Sequence, residues 1–254
     1  MHALKVGITG RKGNVLAHET AQKAAEILEA HGAAVEHDRA FFGKGRALRT
    51  FDCDIILSFG GDGTLLQSFR DLGKKKIPVM GINCGNTGFL QAYRSDEIEK
   101  AVEDVLAGKF GVETRTRILA KADGKTGGEA LNEVLIVPQT TGRLMRYKLG
   151  IGGSLREEAG DGLIVATPTG STAHALSAGG PMVRGNAAVF VVVSVNPVDW
   201  KHRPLIINDH EKVSVSDFRK TRAEMIIDGQ RRFRIRKGVE LSKGGEVLLA
   251  VRKA

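Results

Sequence analysis

The segment CDIILSFGGDGTLLQSFRDLG, residues 53–73, decides the fold of this 254-residue chain. Its first part, residues 53–59, is a continuous apolar run of the kind found in strands that are buried on both faces of a parallel sheet. Glycines end this run, and residues 64–73 have the apolar spacing of a short helix closed by Gly73. A strand, a glycine loop and a helix in this order predict an α/β domain.

The flanking sequence continues the alternation of strands and helices. Residues 17–31 have apolar positions at helical spacing and precede Gly32. Residues 95–107 predict another helix, with Ser95 as its N-cap and acidic residues in its first turn. We therefore expect an α/β domain over residues 1–109, which carries the glycine loop. Its other strands are predicted at residues 3–9, 33–36 and 77–82.

Beyond residue 109 the pattern changes to short strand-like runs with few helical segments. This change predicts a second, predominantly β domain over residues 110–254. A strand after Gly245 is expected either to belong to this domain or to return to the first one. The predicted strands are residues 117–122, 129–137, 147–151, 163–166, 189–195, 213–215, 224–227, 232–235 and 246–251.

Composition restricts the classes of function. The two cysteines lack the spacing of a zinc site, and the N-terminal residues do not resemble a secretory signal. The longest apolar run, residues 187–195, is about half of the ~20 residues that a membrane-spanning helix needs. We therefore expect a cytoplasmic protein without a membrane partner. A net charge of +9 with only 5% aromatic residues favours a small anionic substrate over nucleic acid.

The glycine loop after residue 59 has the composition of a phosphate site. Gly60, Gly61 and Gly63 lack Cβ atoms, which lets backbone N–H groups approach an anion, while a helix starting near Thr64 adds its positive end. Asp62 would repel a phosphate unless it has another task, such as accepting a proton from an attacking hydroxyl or orienting a magnesium-bound donor. A plain Gly-Asp-Gly turn with a helix cap is the alternative.

Three further segments combine strands with polar groups. Residues 160–174, GDGLIVATPTGSTAH, run from an apolar strand into a loop with four hydroxyls in six residues, which suits a sugar or a phosphate. An ordinary Ser/Thr turn has the same composition. Asn132 and Glu133 lie beside a strand and can face one ligand only near the end of that strand. Residues 81–90 form another transition from a strand to a glycine loop.

These motifs together resemble the NAD kinase family. GGDGT at residues 60–64, NE at 132–133, DGLIVATPTGSTA at 161–173 and SAGGP at 177–181 have the order and spacing of that family, and the resemblance covers nearly the whole chain. It implies an α/β nucleotide-binding domain joined to a β-rich NAD-binding domain. It also implies phosphoryl transfer from ATP or polyphosphate to the adenosine-ribose 2′-hydroxyl of NAD, and a homodimer or homotetramer.

The resemblance also implies roles for single residues. Asp62 is similar to the catalytic aspartate that engages the acceptor hydroxyl, and the neighbouring glycines would hold donor phosphates. His174 stands where the family usually has tyrosine, and Thr87 where leucine is usual. The residues that match cofactor- or substrate-binding positions are Gly60, Gly61, Gly63, Thr64, Phe89, Asn132, Glu133, Asp161, Thr172, Ala173, His174 and Ser177.

No carboxylate cluster is suited to a metal cage, so we expect a divalent cation, Mg²⁺, to be held by the donor phosphates with Asp62 assisting through water. Two alternatives remain at this point. One is a nucleotide-binding protein that keeps the pocket but has no turnover. The other is a kinase for a different hydroxyl acceptor, such as a lipid or a sugar, because related glycine loops occur in such kinases.

Overall fold

A computed structural model describes residues 3–86, 88–219 and 221–253. These residues form two compact units. The first contains the residues up to Thr114 together with those from Val247 onward, and the second is Arg115–Glu246. The first unit is α/β and the second is mostly β, which confirms the predicted fold class. Thr87 lies outside the described residues.

The first unit is built on a parallel sheet. Its central strands β1 (Lys5–Gly10), β2 (Ala34–His37), β3 (Ile55–Gly60) and β4 (Val79–Asn83) pair in the order β2-β1-β3-β4, and β5 (Tyr93–Arg94) pairs with β4. The helices are α1 (Val15–Ala30), α2 (Arg39–Phe42), α3 (Asp62–Leu72) and α4 (Ile98–Leu106). Short 3₁₀ turns cover Leu48–Thr50 and Ser95–Glu97.

Burial explains why the apolar runs of this unit form its central strands. All six residues of β3 are buried, as are the first four of β4, because neighbours cover both faces of the sheet. Helix α1 begins where the Asn14 side chain accepts a hydrogen bond from Ala17 N–H at 3.0 Å. Since β1 and β3 are parallel neighbours, the loops after Gly10 and Gly60 leave the same edge of the sheet. Ligands of open α/β sheets bind at this edge.

The second unit contains two largely antiparallel sheets. One has the order β13-β12-β11-β8-β15-β16. The other includes the series β10-β9-β14-β17 and the pair β6-β7. The elements are β6 (Phe110–Ala122), β7 (Lys125–Ala130), β8 (Glu133–Pro138), β9 (Met145–Ile151), β10 (Ser154–Gly160), β11 (Gly162–Ala166), a 3₁₀ turn (Thr169–Thr172), α5 (His174–Ser177), β12 (Val189–Val195), β13 (Leu205–Asn208), β14 (Val213–Arg219), β15 (Ala223–Ile227), β16 (Arg231–Ile235) and β17 (Gly238–Arg252).

Buried side chains from both sheets form one core in this unit. Ile136, Val165 and Met225 contribute from the six-stranded sheet, and Tyr147 and Val215 contribute from the other. Strand β17 continues beyond Glu246 into the first unit, where Leu249 and Ala250 pair in parallel with β4. None of the described helices is both long and apolar enough to cross a membrane.

Two local expectations are wrong. Ser95 is not the N-cap of a continuous helix, because it begins a 3₁₀ turn in which the Glu97 carboxylate accepts a hydrogen bond from Arg94 N–H at 3.0 Å. The strand expected over residues 129–137 is two strands, β7 and β8, which are separated at Leu131 and Asn132. The backbone N–H groups at this break donate to a side chain, as described below.

Candidate functional site

The glycine loop of the first unit joins β3 directly to α3. Gly60 has a φ of +155°, and a Cβ at this position would lie 2.3 Å from Thr64 Oγ1, so a larger residue would disrupt the turn. Gly61 caps the helix without a side chain, and Thr64 N–H donates to Gly61 C=O at 2.9 Å. The helix starts at Asp62, two residues before the predicted start at Thr64. The positive end of its dipole therefore lies at the loop.

The Asp62 carboxylate fixes a second loop of the same unit. Its Oδ2 accepts from Phe89 N–H at 2.9 Å, and its Oδ1 accepts from Leu90 N–H at 3.2 Å and from Gln91 Nε2 at 3.1 Å. An ionised carboxylate has roughly four acceptor positions, so these bonds leave room for about one more donor. The arrangement holds the Asp62 charge in one orientation at the helix N-terminus.

The loop around Gln91 depends on two glycines. A Cβ on Gly81 would lie 2.3 Å from Gln91 Oε1, and one on Gly88 would lie 2.5 Å from Gln91 Cγ. Both positions therefore make room for the glutamine, which the sequence alone did not single out. Between these residues Phe89 presents a side chain that is 74% exposed. Its backbone is thus held by Asp62 while its ring is available to a ligand.

In the second unit, Asn132 and Glu133 lie at the start of β8. The carboxylate of Asp228 organises this corner: its Oδ2 accepts from Leu131 N–H at 3.0 Å, and its Oδ1 accepts from the N–H groups of Asn132 and Glu133 at 2.8 and 3.3 Å. Asp228 N–H in turn donates to Glu133 C=O at 3.0 Å. Asp228 itself has a φ of +48°, so the β15–β16 turn adopts a left-handed conformation to make these contacts.

Each of these two side chains has one buried oxygen that lacks a partner in the described part of the chain. Asn132 Oδ1 and Glu133 Oε2 have no hydrogen-bond donor there. Burial, and then the negative charge of Asp228, raise the pKa of Glu133 to about 7. Unsatisfied buried acceptors are costly, so this pair is suited to binding a hydroxyl or amide ligand.

The hydroxyl-rich segment is interlocked with this corner. Thr167 N–H donates to Asn132 C=O at 2.9 Å, and the Thr167 hydroxyl donates to Leu131 C=O while accepting from Gly170 N–H at 3.1 Å. A Cβ on Gly170 would lie 2.0 Å from Asn132 O. The segment therefore supports the backbone of Asn132 from one side, and Asp228 supports it from the other.

The predicted residues fall into groups. Gly60, Gly61, Gly63, Thr64 and Phe89 surround Asp62 in the first unit, and Asn132 and Glu133 form the corner of the second. Thr172, Ala173, His174 and Ser177 lie further along the interlocked segment, with His174 and Ser177 exposed at the ends of α5. Asp161 is exposed and accepts a hydrogen bond from Asn196 Nδ2 at 2.9 Å.

Comparisons with known proteins agree with the motifs. Profiles of the ATP-NAD kinase N-terminal and C-terminal domains match residues 8–110 and 131–249. The chain is 32% identical to an NAD kinase of Methanopyrus kandleri, over 97% of the chain and 92% of that protein. It is 35% identical to an NAD kinase of Azotobacter vinelandii, over 91% and 84%. It is also 34% identical to a bifunctional NADP phosphatase/NAD kinase of Methanococcus maripaludis, covering 92% of the chain but only 44% of that longer protein.

Two solved structures are similar over almost the whole chain. An NAD kinase from Archaeoglobus fulgidus in complex with ATP has a TM-score of 0.80 at 25% identity, over 97% of the chain and 93% of that structure. Yeast NADH kinase complexed with NADH has a TM-score of 0.87 at 20% identity, over 99% and 84%. The second similarity is one of fold.

Proposed function

The chain belongs to the NAD kinase family, and we infer that it transfers a phosphoryl group from ATP to the adenosine-ribose 2′-hydroxyl of NAD, producing NADP. Both domain profiles of the family support this reaction. The observation that carries the chemistry is the Asp62 carboxylate, which three N–H donors orient in the first turn of α3 beside the glycine loop.

In this proposal Asp62 and its neighbours in the loop have different tasks. We assign Gly60, Gly61, Gly63 and Thr64 to the donor phosphates, together with the positive end of α3. Thr64 would contribute its hydroxyl, because its N–H already donates to Gly61 C=O. The remaining acceptor capacity of Asp62 takes the hydrogen bond of the acceptor hydroxyl. As that oxygen attacks the terminal phosphorus, its proton passes to the Asp62 carboxylate and ADP leaves. No covalent intermediate with the protein is needed.

The acceptor is held by residues of several segments. Asn132 Oδ1 and Glu133 Oε2 are buried acceptors that lack a donor in the described part of the chain, so the hydroxyls of an adenosine ribose would satisfy them. We assign the exposed ring of Phe89 to stacking on the adenine. We assign the remaining contacts with NAD to Asp161, Thr172, Ala173, His174 and Ser177. His174 would contribute an imidazole where the family usually has a phenol.

We also propose that the reaction uses a divalent cation, Mg²⁺. No group of three or more His, Cys, Asp or Glu side chains suited to a metal ion occurs in the described part of the chain. Mg²⁺ is commonly bound through substrate phosphates and only one or two carboxylates, so the donor phosphates would hold it here, with Asp62 assisting through water. Bound there, the cation would neutralise charge on the transferring phosphoryl group.

The assembly and location of the protein are likewise proposals. A homodimer or homotetramer in the cytoplasm is what the resemblance to the family favours. Gel filtration with light scattering would measure the mass of the assembly, and a monomer would contradict this expectation.

The reaction is tested by incubating the purified chain with Mg²⁺ and ATP and, in parallel, with NAD, NADH, a diacylglycerol and a panel of sugars. We expect NADP, identified by mass and by an NADP-dependent dehydrogenase. Inorganic polyphosphate in place of ATP tests the other donor. A phosphorylated lipid or sugar instead of NADP would contradict the proposed acceptor, and NAD binding without any product would indicate a protein that has lost turnover.

The role of Asp62 is tested by Asp62→Asn, which removes the charge with little change in volume. We expect kcat to fall at least about 100-fold, because a positioned general base contributes roughly that much or more. The amide oxygen keeps the hydrogen bonds of one former carboxylate oxygen, while the amide nitrogen faces the N–H donor of the other, so we expect a loss of about 1–3 kcal/mol in the free energy of unfolding. The kcat is therefore measured at a temperature where circular dichroism shows that the variant is folded. Turnover close to that of the wild type would contradict the assigned role.

The acceptor pocket is tested by Glu133→Gln. Because Glu133 Oε2 is assigned to NAD and not to the donor, we expect the KM for NAD to rise about tenfold, the order expected for one lost hydrogen bond to a charged group. The KM for ATP should stay within the error of the assay. Equal increases for both substrates would place Glu133 outside the acceptor pocket.

A further inference from the structure

A cavity of about 750 Å³ in the second unit has a basic lining that the proposed reaction does not use. It is formed by the β6–β7 turn and by β16 with the residues that follow it. Its volume is in the range of small-molecule sites. Its lining contains none of the residues assigned above to ATP or NAD. The cationic lining residues are Lys125, Arg232, Arg234, Arg236 and Lys237.

The strand geometry presents several of these charges in a row. Within the described residues β16 pairs only with β15, so it is an edge strand of its sheet. Phe233 is half-buried and Ile235 is buried, while Arg232 and Arg234 are exposed, as the alternation of a strand requires. Side chains two residues apart on one face are spaced roughly 7 Å, so the row fits an extended ligand with several negative charges better than a single small anion.

Most of this charge is not neutralised within the described part of the chain. Lys125, Arg234, Arg236 and Lys237 form no ion pair there, and Arg232 has one partner, the half-buried Glu224, at 3.4 Å. Clustered like charges repel one another, so this arrangement of cations is unfavourable unless an anion binds among them. Cations on an edge strand also prevent strands from pairing between molecules, which is the alternative explanation.

The acidic residue of the cavity has a structural task. The Asp123 carboxylate accepts hydrogen bonds from the N–H groups of Arg236, Lys237 and Gly238 at 3.0, 2.7 and 3.1 Å. Burial opposes its ionisation, but these N–H groups and the charge of Arg236 outweigh burial and lower the pKa of Asp123. Asp123 therefore fixes the corner that carries Arg236 and Lys237.

We propose that this cavity is a binding site for a short, extended oligophosphate anion, in addition to the loop that binds the donor. A concave surface of this size fits a small ligand better than a flat membrane. Phe233 is the one aromatic residue of the lining, and Arg231 lies over its ring at 5.1 Å, so a series of stacked nucleic-acid bases is not favoured. Inorganic tripolyphosphate is the probe, because it carries linked phosphate groups without a nucleoside or a lipid.

The test is calorimetric titration of the full chain with tripolyphosphate at low ionic strength. The variant Arg234→Gln/Arg236→Gln/Lys237→Gln removes three charges of the cavity, and Lys74→Gln/Arg143→Gln/Lys253→Gln removes three exposed charges elsewhere. We expect the cavity variant to bind one equivalent fewer per chain, or to bind that equivalent about 100-fold more weakly, since each exposed charge near a phosphate contributes roughly a fivefold factor in water. The control should match the wild type.

Kinetics separate this site from the donor site. The cavity variant should keep the wild-type kcat and KM for ATP, which also shows that it folds. ATP replaces tripolyphosphate in a second titration, to determine whether a nucleotide uses the same site. Unchanged tripolyphosphate binding by the cavity variant would overturn the proposal, and so would a KM for ATP that rises with the loss of binding. Tight binding of a short RNA or of anionic vesicles, with none of tripolyphosphate, would also overturn it.

Discussion

Glu133 combines a buried carboxyl group with a negatively charged neighbour. Both effects disfavour the charged form, so its pKa in the folded protein is about 7, whereas the ordinary value is 4.5. Between these values the folded chain holds a proton that the unfolded chain has lost. The free energy of unfolding must therefore fall as the pH rises through this window.

This difference predicts a pH-dependent cost of Glu133. Over the whole window the wild type should lose roughly 3 kcal/mol of stability that Glu133→Gln does not lose, because each pKa unit corresponds to about 1.4 kcal/mol. Urea unfolding of both proteins, below pH 4.5 and above the folded-state pKa, measures it. The variant serves as the control for all other titrating groups. If the two proteins lose stability equally as the pH rises, Glu133 titrates normally.

At the residue scale, the sequence indicated the polar groups of the site but not all of the residues that hold them in place. Asp62, Asn132 and Glu133 could be proposed because charged or amide groups beside glycines and strand ends are characteristic of sites. Gln91 could not, because a glutamine has no special spacing and its position depends on Gly81 and Gly88. The contacts of Asp228 with Leu131 and Asn132 join residues about a hundred positions apart, which local patterns do not reveal.

Among the elements, the start of β8 and the segment after β11 depend on each other. Thr167 bonds to the backbone of Leu131 and Asn132, and the close approach of Gly170 to Asn132 C=O leaves no space for a side chain. The two segments therefore act as one support for the proposed acceptor pocket. Changing one should move the other.

The mutation Gly170→Ala tests this coupling. Because its Cβ would lie 2.0 Å from a backbone oxygen, the segments must separate, at a cost of about 3 kcal/mol in the free energy of unfolding. The KM for NAD should rise, since Asn132 moves, while the KM for ATP changes less. Gly85→Ala is the matched control for stability, because its nearest atom would be 3.6 Å away. If the Gly170→Ala protein were as stable as the wild type, the close contact between Gly170 and Asn132 C=O would not couple the two segments.

The same contacts explain which elements the sequence predicted. Strands β3 and β4 were recognisable because burial on both faces gives continuous apolar runs. The break between β7 and β8 was missed because a distant carboxylate, that of Asp228, binds the backbone N–H groups at the break. Strand β10 was also missed, since four of its seven residues are charged or polar and do not give an apolar run. Gly244 and Gly245 suggested a strand start within what is one long strand, β17.

On the scale of the whole molecule, the chain leaves the first unit and later re-enters it. The residues from Val247 onward cluster with the first unit although the sequence between Arg115 and Glu246 forms the second. In the first unit Leu249 and Ala250 extend the parallel sheet beside Val79 and Met80. The last strand thus extends the sheet whose strand β3 leads directly into Asp62. The sequence left the placement of this strand open, because an apolar run of five residues fits either sheet.

The final strand should therefore be essential for the stability of the sheet that leads into Asp62, the proposed catalytic residue. Leu249 is only 3% exposed, so Leu249→Ala should lower the free energy of unfolding by about 3 kcal/mol through lost burial and the cavity left behind. Urea unfolding measures the loss. The exposed Lys253→Ala is the control and should unfold like the wild type.

Because Leu249 contacts no proposed substrate, the kcat of the folded variant should be retained at low temperature, while inactivation begins at a lower temperature. A Leu249→Ala protein with unchanged stability would show that the sheet does not depend on the returning strand.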